Sequence, residues 1–380
     1  MRSRDPRILI FSPFRFQHGG GERYTLGIAL ALSSVGEVTL AFDYKYSKMR
    51  LERLQEGFGF SAGAGGSPLN LEFIGDLDLT TFDLCIQIAN DISPVRRALG
   101  KKNIIHCQFP FPQPRVAEVL KFFNGVKSIP REIDYVANSG FTKGYIVSKL
   151  RSLNYKNEVT VIEPHVNVPA KTRLPSQKSM AERPQILSIG RFTNLGHAKN
   201  QDKLVLGLWK LRERFGLEAR LTLLGGVTSS TDAQFLSSLR HLSDSLGLDV
   251  EFLPNASNTE IKSSLESSSI FWHGTGLGEY NPLGNPSRLE HFGIAPLEAM
   301  GNGLVPFCYH LGGPASYIEH GKNGFLVANE DELAESTYLF LKSLPEDKQR
   351  ISSAGRSRAE KNKFSVFADS WRRLVQKKLA

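Results

Sequence analysis

The feature that most constrains the fold of this 380-residue chain is a regular alternation of short β-rich runs with stretches of helical character. In the first half, RILIFSPF, VTLAF, LCIQI and NIIHCQ alternate with helix-like segments at 22–34, 114–124 and 140–151. A second series starts with ILSIG at 186–190 and continues through RLTLLG, SIFWHG and LVPFCY. Such alternation forms parallel sheets covered by helices on both faces. We therefore predict an α/β fold of two doubly wound, Rossmann-like domains facing across a cleft.

A single segment marks the boundary between the two series. VNVPAKTRLPSQKSMAERPQ contains three prolines and no apolar period, as expected of a linker. We place an N-terminal domain at 1–168 and a C-terminal domain at 169–363, in keeping with two cores for a chain of this length. Apolar residues at helical spacing near the end predict a helix at about 364–380, which we expect to pack back on the first domain.

Composition excludes several classes of protein. The hydrophobic fraction of 41% and the charged fraction of 22% are ordinary for a globular protein. No apolar run approaches the ~20 residues that span a bilayer, and the N-terminus has no signal-peptide pattern. The three cysteines, Cys85, Cys107 and Cys308, are far apart and lie in apolar runs. We expect buried free thiols and a cytoplasmic location.

The net charge of +9 is unevenly distributed, because residues 96–156 carry 12 basic and 3 acidic side chains. Such a surface can meet anionic headgroups, which predicts peripheral contact with the inner face of a membrane. The alternative, a merely solvated basic face, is the commoner outcome for scattered Lys and Arg. No nucleic-acid motif with stacking aromatics accompanies the charge, so we expect no nucleic-acid partner.

The stretch LEHFGIAPLEAMGNG separates two acids, Glu290 and Glu298, by seven residues. Pro296 suits the first position of a helix, which would place Glu298 in the first turn and Glu290 in the approach loop. Carboxylates there suit sugar or ribose hydroxyls, and amides at the positive end of a helix dipole suit a phosphate. The alternative is that Glu298 caps its own helix and Glu290 is solvated. The amides in question are those of Phe292, Gly293 and Ile294.

Two cations follow the strand ILSIG. Arg191 comes directly at its carboxyl end, and Lys199 precedes a helix predicted from about residue 200. A guanidinium and an ammonium on one rim suit a diphosphate, the first through bidentate hydrogen bonds and the second as a point charge. A pair of solvated loop cations is the alternative.

Weaker signals lie at other strand ends. Three consecutive glycines, Gly19, Gly20 and Gly21, precede a helix and allow backbone amides to approach a ligand, although a tight turn explains them equally well. His106 ends the run NIIH and could donate to a sugar hydroxyl or a leaving phosphate. A hydrogen-bonded structural histidine is the alternative there, and equally for His273.

One acidic pattern imitates a metal site. Asp76 and Asp78 in GDLDL have Asp-x-Asp spacing, but they precede a strand instead of ending one. We interpret them as turn residues.

Together these motifs resemble the retaining GT-B glycosyltransferases, in particular family 4, the glycosyl transferases group 1, with its E-x7-E motif. Glu290 and Glu298 look like that motif, and Arg191 with Lys199 looks like the family's diphosphate site. One departure is the eight-residue step from Arg191 to Lys199, which is longer than the family's usual linker. The run Gly19-Gly20-Gly21 is similar to the family's N-terminal glycine loop. Gly312-Gly313 resembles its later glycine pair.

The resemblance implies a function and a set of roles. The chain would transfer a sugar, hexosyl or related, from a nucleotide-diphosphate sugar to a hydroxyl of a glycan, lipid-linked or other acceptor. The N-terminal domain would bind the acceptor and the C-terminal domain the donor, without a metal ion or a cofactor. Arg191 and Lys199 would neutralise the leaving diphosphate. Glu298 would hold the ribose, Glu290 the donor sugar, and His106 would reach that sugar from the N-terminal domain.

Two other classes stay open at this point. A nucleotide-sugar epimerase or a phosphorylase shares the two-domain architecture, and a non-catalytic sugar-nucleotide or glycan-binding protein would need only the binding residues. The identities of the donor base, the sugar and the acceptor depend on loops that follow no transferable code.

Overall fold

A computed structural model describes residues 4–14, 19–45, 70–92, 100–111, 133–170 and 183–380. They form two compact units, the first comprising Met1–His165 with Phe364–Ala380 and the second Val166–Lys363. Strands and helices are numbered below along the described residues. The helix predicted at 114–124 lies outside them. So do six of the basic residues counted within 96–156: Arg96, Arg97, Arg115, Lys121, Lys127 and Arg131.

The first unit is built on a seven-stranded parallel sheet. Its strands lie in the order β3-β2-β1-β4-β5-β6-β7, so the direction of winding reverses between neighbours β1 and β4. Ligands of doubly wound sheets bind beyond the carboxyl ends of strands at such a reversal. The strands are β1 Arg7–Ser12, β2 Glu37–Phe42, β3 Asn70–Phe73, β4 Leu84–Ala89, β5 Lys102–Cys107, β6 Ile133–Ala137 and β7 Val159–Val161.

Three described helices belong to this unit: α1 Gly20–Leu32, α2 Gly140–Ser152 and α9 Phe364–Leu379. Helix α9 packs on α1 through Phe367, Trp371 and Val375, which follow one another at four-residue spacing and so share one face. Trp371 is wholly buried. The end of the chain therefore completes the core of the first unit.

The second unit has a six-stranded parallel sheet in the order β10-β9-β8-β11-β12-β13, with its winding reversal between β8 and β11. Its strands are β8 Gln185–Ile189, β9 Arg220–Gly225, β10 Val250–Pro254, β11 Ile270–His273, β12 Val305–Tyr309 and β13 Phe325–Val327. Its helices are α3 Gln201–Phe215, α4 Ser230–Ser245, α5 Asn258–Ser267, α6 Ile294–Gly301, α7 Glu330–Lys342 and α8 Pro345–Glu360.

These topologies confirm the predicted α/β class with two Rossmann-like sheets. The sequence did not predict β3, which has only four residues, or α8, whose sequence is largely polar. Helix α6 begins at Ile294, so Pro296 is its third residue and Glu298 its fifth; the prediction that Glu298 lies in the first turn was wrong. Asp78 accepts a hydrogen bond from the backbone of Thr80 in a short 3-10 turn, as expected of a turn residue.

Two expectations from composition also meet the structure. Cys85, Cys107 and Cys308 are buried free thiols, as predicted. Within the described ranges, no helix combines the length and the apolar character that crossing a membrane requires.

Candidate functional site

The predicted residues of the second unit meet at the winding reversal of its sheet. Lys199 follows β8, His273 is the last residue of β11, and Glu290 lies in the loop that leads from β11 to α6. Since β8 and β11 are neighbours whose chains leave in opposite directions, the three side chains occupy the crevice that this reversal creates.

Glu290 is the centre of the cluster, and its side chain is 11% exposed. Its Oε2 accepts from Lys199 Nζ at 2.8 Å and from His273 Nε2 at 2.8 Å. Its Oε1 accepts from the backbone N–H of His291 at 3.1 Å. Burial alone would raise the pKa of Glu290, but Lys199, His197 and His273 hold that pKa well below its ordinary value. Glu290 is therefore a buried carboxylate at neutral pH.

His197 joins the cluster from the loop between Arg191 and Lys199. Its Nε2 lies 2.9 Å from the carbonyl oxygen of Leu289, and its Nδ1 lies 3.2 Å from Lys199 Nζ. Its ring stacks on that of His291, with centroids 4.6 Å apart and planes at 20°. Burial, with Lys199 nearby, lowers the pKa of His197 to about 4. The sequence reasoning missed this residue; the one available signal was the unusual length of the loop that contains it.

Arg191 lies at the same edge of the sheet, with a fixed backbone and an exposed side chain. Gln201, buried at the start of α3, donates from Nε2 to the carbonyl oxygens of Gly190 at 3.1 Å and Arg191 at 2.9 Å, which fixes the backbone. The guanidinium is exposed and has no hydrogen bond or ion pair within the described ranges. The backbone of Arg191 is thus fixed, while its guanidinium is available to a ligand.

The start of α6 brings the remaining predicted donor-binding groups to this loop. Gly293 is its N-cap with φ 89° and ψ 71°, a conformation that favours glycine, and its carbonyl accepts from Tyr317 Oη at 2.7 Å. Ile294 is the first helical residue, Phe292 is buried just before the cap, and Glu298 is half-buried one turn further on. The backbone amides at the cap therefore lie at the positive end of the helix, as predicted.

The Gly312-Gly313 pair packs against the loop that contains Glu290. The N–H of Gly313 donates to the carbonyl oxygen of Glu290 at 2.6 Å. A Cβ on Gly313 would lie 2.3 Å from both the carbonyl oxygen of His291 and the Cα of Phe292. Glycine is needed here because two backbone segments are in direct contact. The pair positions the loop of Glu290.

The glycine run of the first unit lies where a helix begins. Gly19 is the N-cap of α1, and Gly20 and Gly21 are its first two residues. A Cβ on Gly21 would lie 2.4 Å from Oε1 of Gln108, which follows β5. The polar side chains beside these glycines include Gln108 next to Gly21 and Glu22 next to Gly19.

His106 lies elsewhere, inside the core of the first unit. Its ring is fully buried and stacks on Tyr24, with centroids 4.0 Å apart and planes at 5°. Its Nδ1–H donates to the carbonyl oxygen of Val136 at 3.2 Å, and burial lowers its pKa to about 3. Alternation along β5 places His106 on the same face as Ile104, under α1 and α9. This placement matches the structural alternative and gives the ring no access to a ligand in the described conformation.

In the part of the chain that the structure describes, no group of three or more His, Cys, Asp or Glu side chains is arranged to hold a metal ion. Two histidines beside Glu290 are engaged otherwise: His273 with Glu290 itself, and His197 with Leu289 and Lys199.

Known proteins resemble this chain in sequence. Human GDP-Man:Man(3)GlcNAc(2)-PP-Dol alpha-1,2-mannosyltransferase is 26% identical over 253 residues, which cover 64% of this chain and 48% of that protein. This chain thus spans less than half the length of that relative. Human alpha-1,3/1,6-mannosyltransferase ALG2 is 26% identical over 428 residues, covering 98% of this chain and 96% of the relative.

The fold has solved counterparts as well. The crystal structure of Anabaena Alr3699/HepE in complex with UDP aligns over 98% of this chain and 100% of its own, with a TM-score of 0.71 and 17% identity. Residues 171–358 match the family model described as glycosyl transferases group 1. That segment contains Arg191, Lys199, Glu290 and Glu298. Residues 171–358 therefore belong to the glycosyl transferases group 1 family, and the chain has the GT-B glycosyltransferase fold.

Proposed function

We propose that this chain is a retaining glycosyltransferase, which moves a sugar from a nucleotide-diphosphate sugar to a hydroxyl of a glycan or lipid-linked acceptor. The observation that carries the proposal is the pairing of Lys199 with buried Glu290 at the winding reversal, beside the uncommitted guanidinium of Arg191. A fixed ammonium and a free guanidinium in one crevice can stabilise the negative charge of a departing diphosphate.

The two cations act on the leaving group. Negative charge builds on the diphosphate as the bond to the sugar breaks, and preorganised cations stabilise this charge without rearrangement. Lys199 is preorganised because Glu290 holds its Nζ at 2.8 Å. Arg191 contributes a planar fork that can bind two phosphate oxygens at once. Since these cations supply the positive charge, the proposed scheme includes no metal ion.

Glu290 serves as a fixed carboxylate in this scheme. Its pKa is held well below the ordinary value, so it stays ionised and is not a general acid. Its Oε2 already accepts two hydrogen bonds, whereas Oε1 accepts one from His291 N and retains capacity for a sugar hydroxyl. The amides of Gly293 and Ile294 would face the same ligand.

The scheme contains no covalent sugar–enzyme intermediate. Its proposed course is attack from the face that the diphosphate leaves, with a donor phosphate oxygen accepting the proton of the acceptor hydroxyl. Glu298, half-buried on α6, is proposed to bind the ribose hydroxyls of the donor.

The relatives indicate which donor to test first. The name of one human relative specifies GDP-Man and a PP-Dol-linked acceptor, and the other is also named a mannosyltransferase. We therefore propose GDP-mannose as the first donor and a diphosphate-linked lipid oligosaccharide as the first acceptor class.

Donor specificity can be tested by thermal stabilisation with GDP-mannose, UDP-glucose and related nucleotide sugars, since a ligand at 100 times its Kd adds about 2.7 kcal/mol. The donor that binds is then used in transfer assays with Arg191→Ala and Glu298→Gln. We expect kcat/KM to fall about 100-fold for Arg191→Ala. Arg350→Ala, which removes an exposed i,i+3 pair on α8, is the matched control. Unchanged turnover in Arg191→Ala would refute the assignment.

Contact of the first unit with an anionic membrane is a separate proposal, and with it a peripheral location on the cytoplasmic side. Among the described basic residues of 96–156, Lys101 is paired with Asp83. Lys143, Arg151 and Lys156 are exposed and have no partner within the described ranges. Sedimentation with anionic and neutral vesicles at low and high salt tests this, because surface attraction is screened by salt. Equal partitioning in all four conditions would exclude it.

A further inference from the structure

His197 is held in one tautomer by its two partners. The carbonyl oxygen of Leu289 can only accept, so Nε2 of His197, 2.9 Å away, carries the hydrogen. A neutral imidazole with its hydrogen on Nε2 has a lone pair on Nδ1. The Lys199 ammonium, which can only donate, lies 3.2 Å from that lone pair.

Two of the three ammonium hydrogens of Lys199 therefore have acceptors. One N–H points to Glu290 Oε2 at 2.8 Å and a second to His197 Nδ1 at 3.2 Å. No third acceptor for Nζ lies within the described residues. Two fixed bonds on a tetrahedral ammonium set the direction of the third N–H.

We infer that His197 is a positioning residue for Lys199: its Nδ1, together with Glu290, aims the remaining N–H of the ammonium at the donor diphosphate. The inference deepens the proposed function and rests on it for the identity of the ligand. It concerns the loop between Arg191 and Lys199, which contains His197.

The surroundings make the imidazole a rigid support. His197 bonds to the carbonyl of Leu289, the residue directly before Glu290, and stacks on His291, the residue directly after it. The two partners of the ammonium are thus tied to the same short segment, 289–291. A ring that stays neutral at pH 7 can act as an acceptor throughout, which agrees with its lowered pKa of about 4.

A purely structural role would need only the bond to Leu289, and two substitutions separate the possibilities. In His197→Asn, Oδ1 replaces the Nδ1 acceptor while the bond to Leu289 is lost. In His197→Gln, the longer amide can keep the bond to Leu289 while the acceptor beside Lys199 is lost. We expect His197→Gln to weaken GDP or UDP binding about tenfold, since bonds to charged groups are the stronger ones. We expect His197→Asn to stay within about threefold of wild type.

The kinetic signature should follow the same order. Charge on the diphosphate is greatest in the transition state, so kcat in His197→Gln should fall more than KM rises. His197→Asn should restore most of kcat. Equal losses in both variants, or a larger loss in Asn than in Gln, would assign His197 a purely structural role and overturn the inference.

A measurement without substrate separates this inference from the proposed function. Nitrogen NMR of imidazole-labelled protein at pH 7 should show a pyridine-type Nδ1 and a pyrrole-type Nε2 for His197, identified by its loss in His197→Gln. Lys199→Met should shift the Nδ1 resonance more than the Nε2 resonance. A hydrogen on Nδ1 would overturn the inference even if nucleotides bind. If no nucleoside diphosphate or nucleotide sugar of the donor panel binds the wild type, the proposed function fails, and the resonances alone decide the Lys199 contact.

Discussion

β5 and β11 each place a histidine near their carboxyl ends, but the two side chains have opposite surroundings. His273, the last residue of β11, donates to buried Glu290 at 2.8 Å. His106, the next-to-last residue of β5, stacks on Tyr24 in the core. Helices cover both faces of each sheet, so alternation does not separate the two positions. The ring of His273 reaches the loop of Glu290, whereas that of His106 lies under α1 and α9. Proximity to a strand end therefore does not by itself indicate a site.

The difference is also electrostatic. The second unit buries a charged pair, Lys199 with Glu290, whose desolvation is offset by hydrogen bonds from His273 and the backbone of His291. The first unit keeps His106 neutral through burial. The hydrogen-bonded ion pair of Lys199 and Glu290 keeps charged groups at the proposed site, whereas the neutral ring of His106 contributes packing.

Lys199→Met should give the largest effect. It removes the fixed cation from the proposed leaving-group site, so kcat/KM should fall about 100- to 1,000-fold. It also leaves Glu290 without its cation, which should lower the free energy of unfolding by about 3 kcal/mol. Lys203→Met is the control, since Lys203 pairs with Glu330 at a more exposed site, 3.4 Å apart, and should change stability by less than about 1 kcal/mol. Transfer assays measure kcat/KM, and denaturant unfolding measures the free energy of unfolding. Equal changes in Lys199→Met and Lys203→Met would contradict the assigned site.

The two histidines can be compared directly through His273→Phe and His106→Phe. The first removes a donor from a buried carboxylate and should lower the free energy of unfolding by about 2 kcal/mol, with a loss of at least tenfold in kcat/KM. The second keeps a flat ring against Tyr24 and removes the bond to Val136, which should cost about 1 kcal/mol and leave kcat within about threefold. A loss of 100-fold or more in His106→Phe would instead support the role that the family resemblance gave this residue.

Gly313→Ala tests how firmly the loop of Glu290 is held. The added Cβ would meet backbone atoms at 2.3 Å, so the loop must shift, at a cost of about 1–3 kcal/mol and with weaker donor binding. Gly226→Ala, at the same sheet edge, would place its Cβ 3.9 Å from its nearest neighbours and should be nearly neutral. Calorimetric unfolding and nucleotide titration distinguish the pair; a neutral Gly313→Ala would show that the loop adjusts freely.

Acid should destabilise both units through histidines whose pKa burial lowers: His106 and His165 in the first unit, and His197, His273 and His291 in the second. His106 and His165 in the first unit have folded-state pKa values of about 3, and His197 in the second about 4, against about 6.5 when unfolded. Their contribution to stability is fully present above pH 6.5 and is lost as pH falls, because only the unfolded chain gains protons there. Each accounts for up to about 1.4 kcal/mol per pH unit.

Scanning calorimetry between pH 7.5 and 5 gives that slope. His106→Phe should reduce it relative to the wild type. A slope equal to that of the wild type would mean that His106 is not buried as a neutral ring.

Much of the fold was predictable because buried parallel strands are continuous apolar runs, such as ILSIG and LVPFCY, and alternate with helices. The position of Arg191 followed from a strand end, and that of Lys199 from the predicted start of the next helix. His197 could not be predicted, since its role depends on a loop folding back to Leu289, which is 92 residues away in sequence. Helix α8 was missed because its buried face is sparse, with Ile351 and Ala359 among few apolar residues.

Helix α9 has a consequence for how the molecule is made. The second unit is one continuous stretch, Val166–Lys363, but the first needs Phe364–Ala380 to cover α1. During synthesis, most of the first unit leaves the ribosome early and waits with the apolar surface around Tyr24 uncovered until Trp371 arrives. The second unit has no such dependence and can complete its core first. Completion of the two cores therefore runs against their order in the sequence.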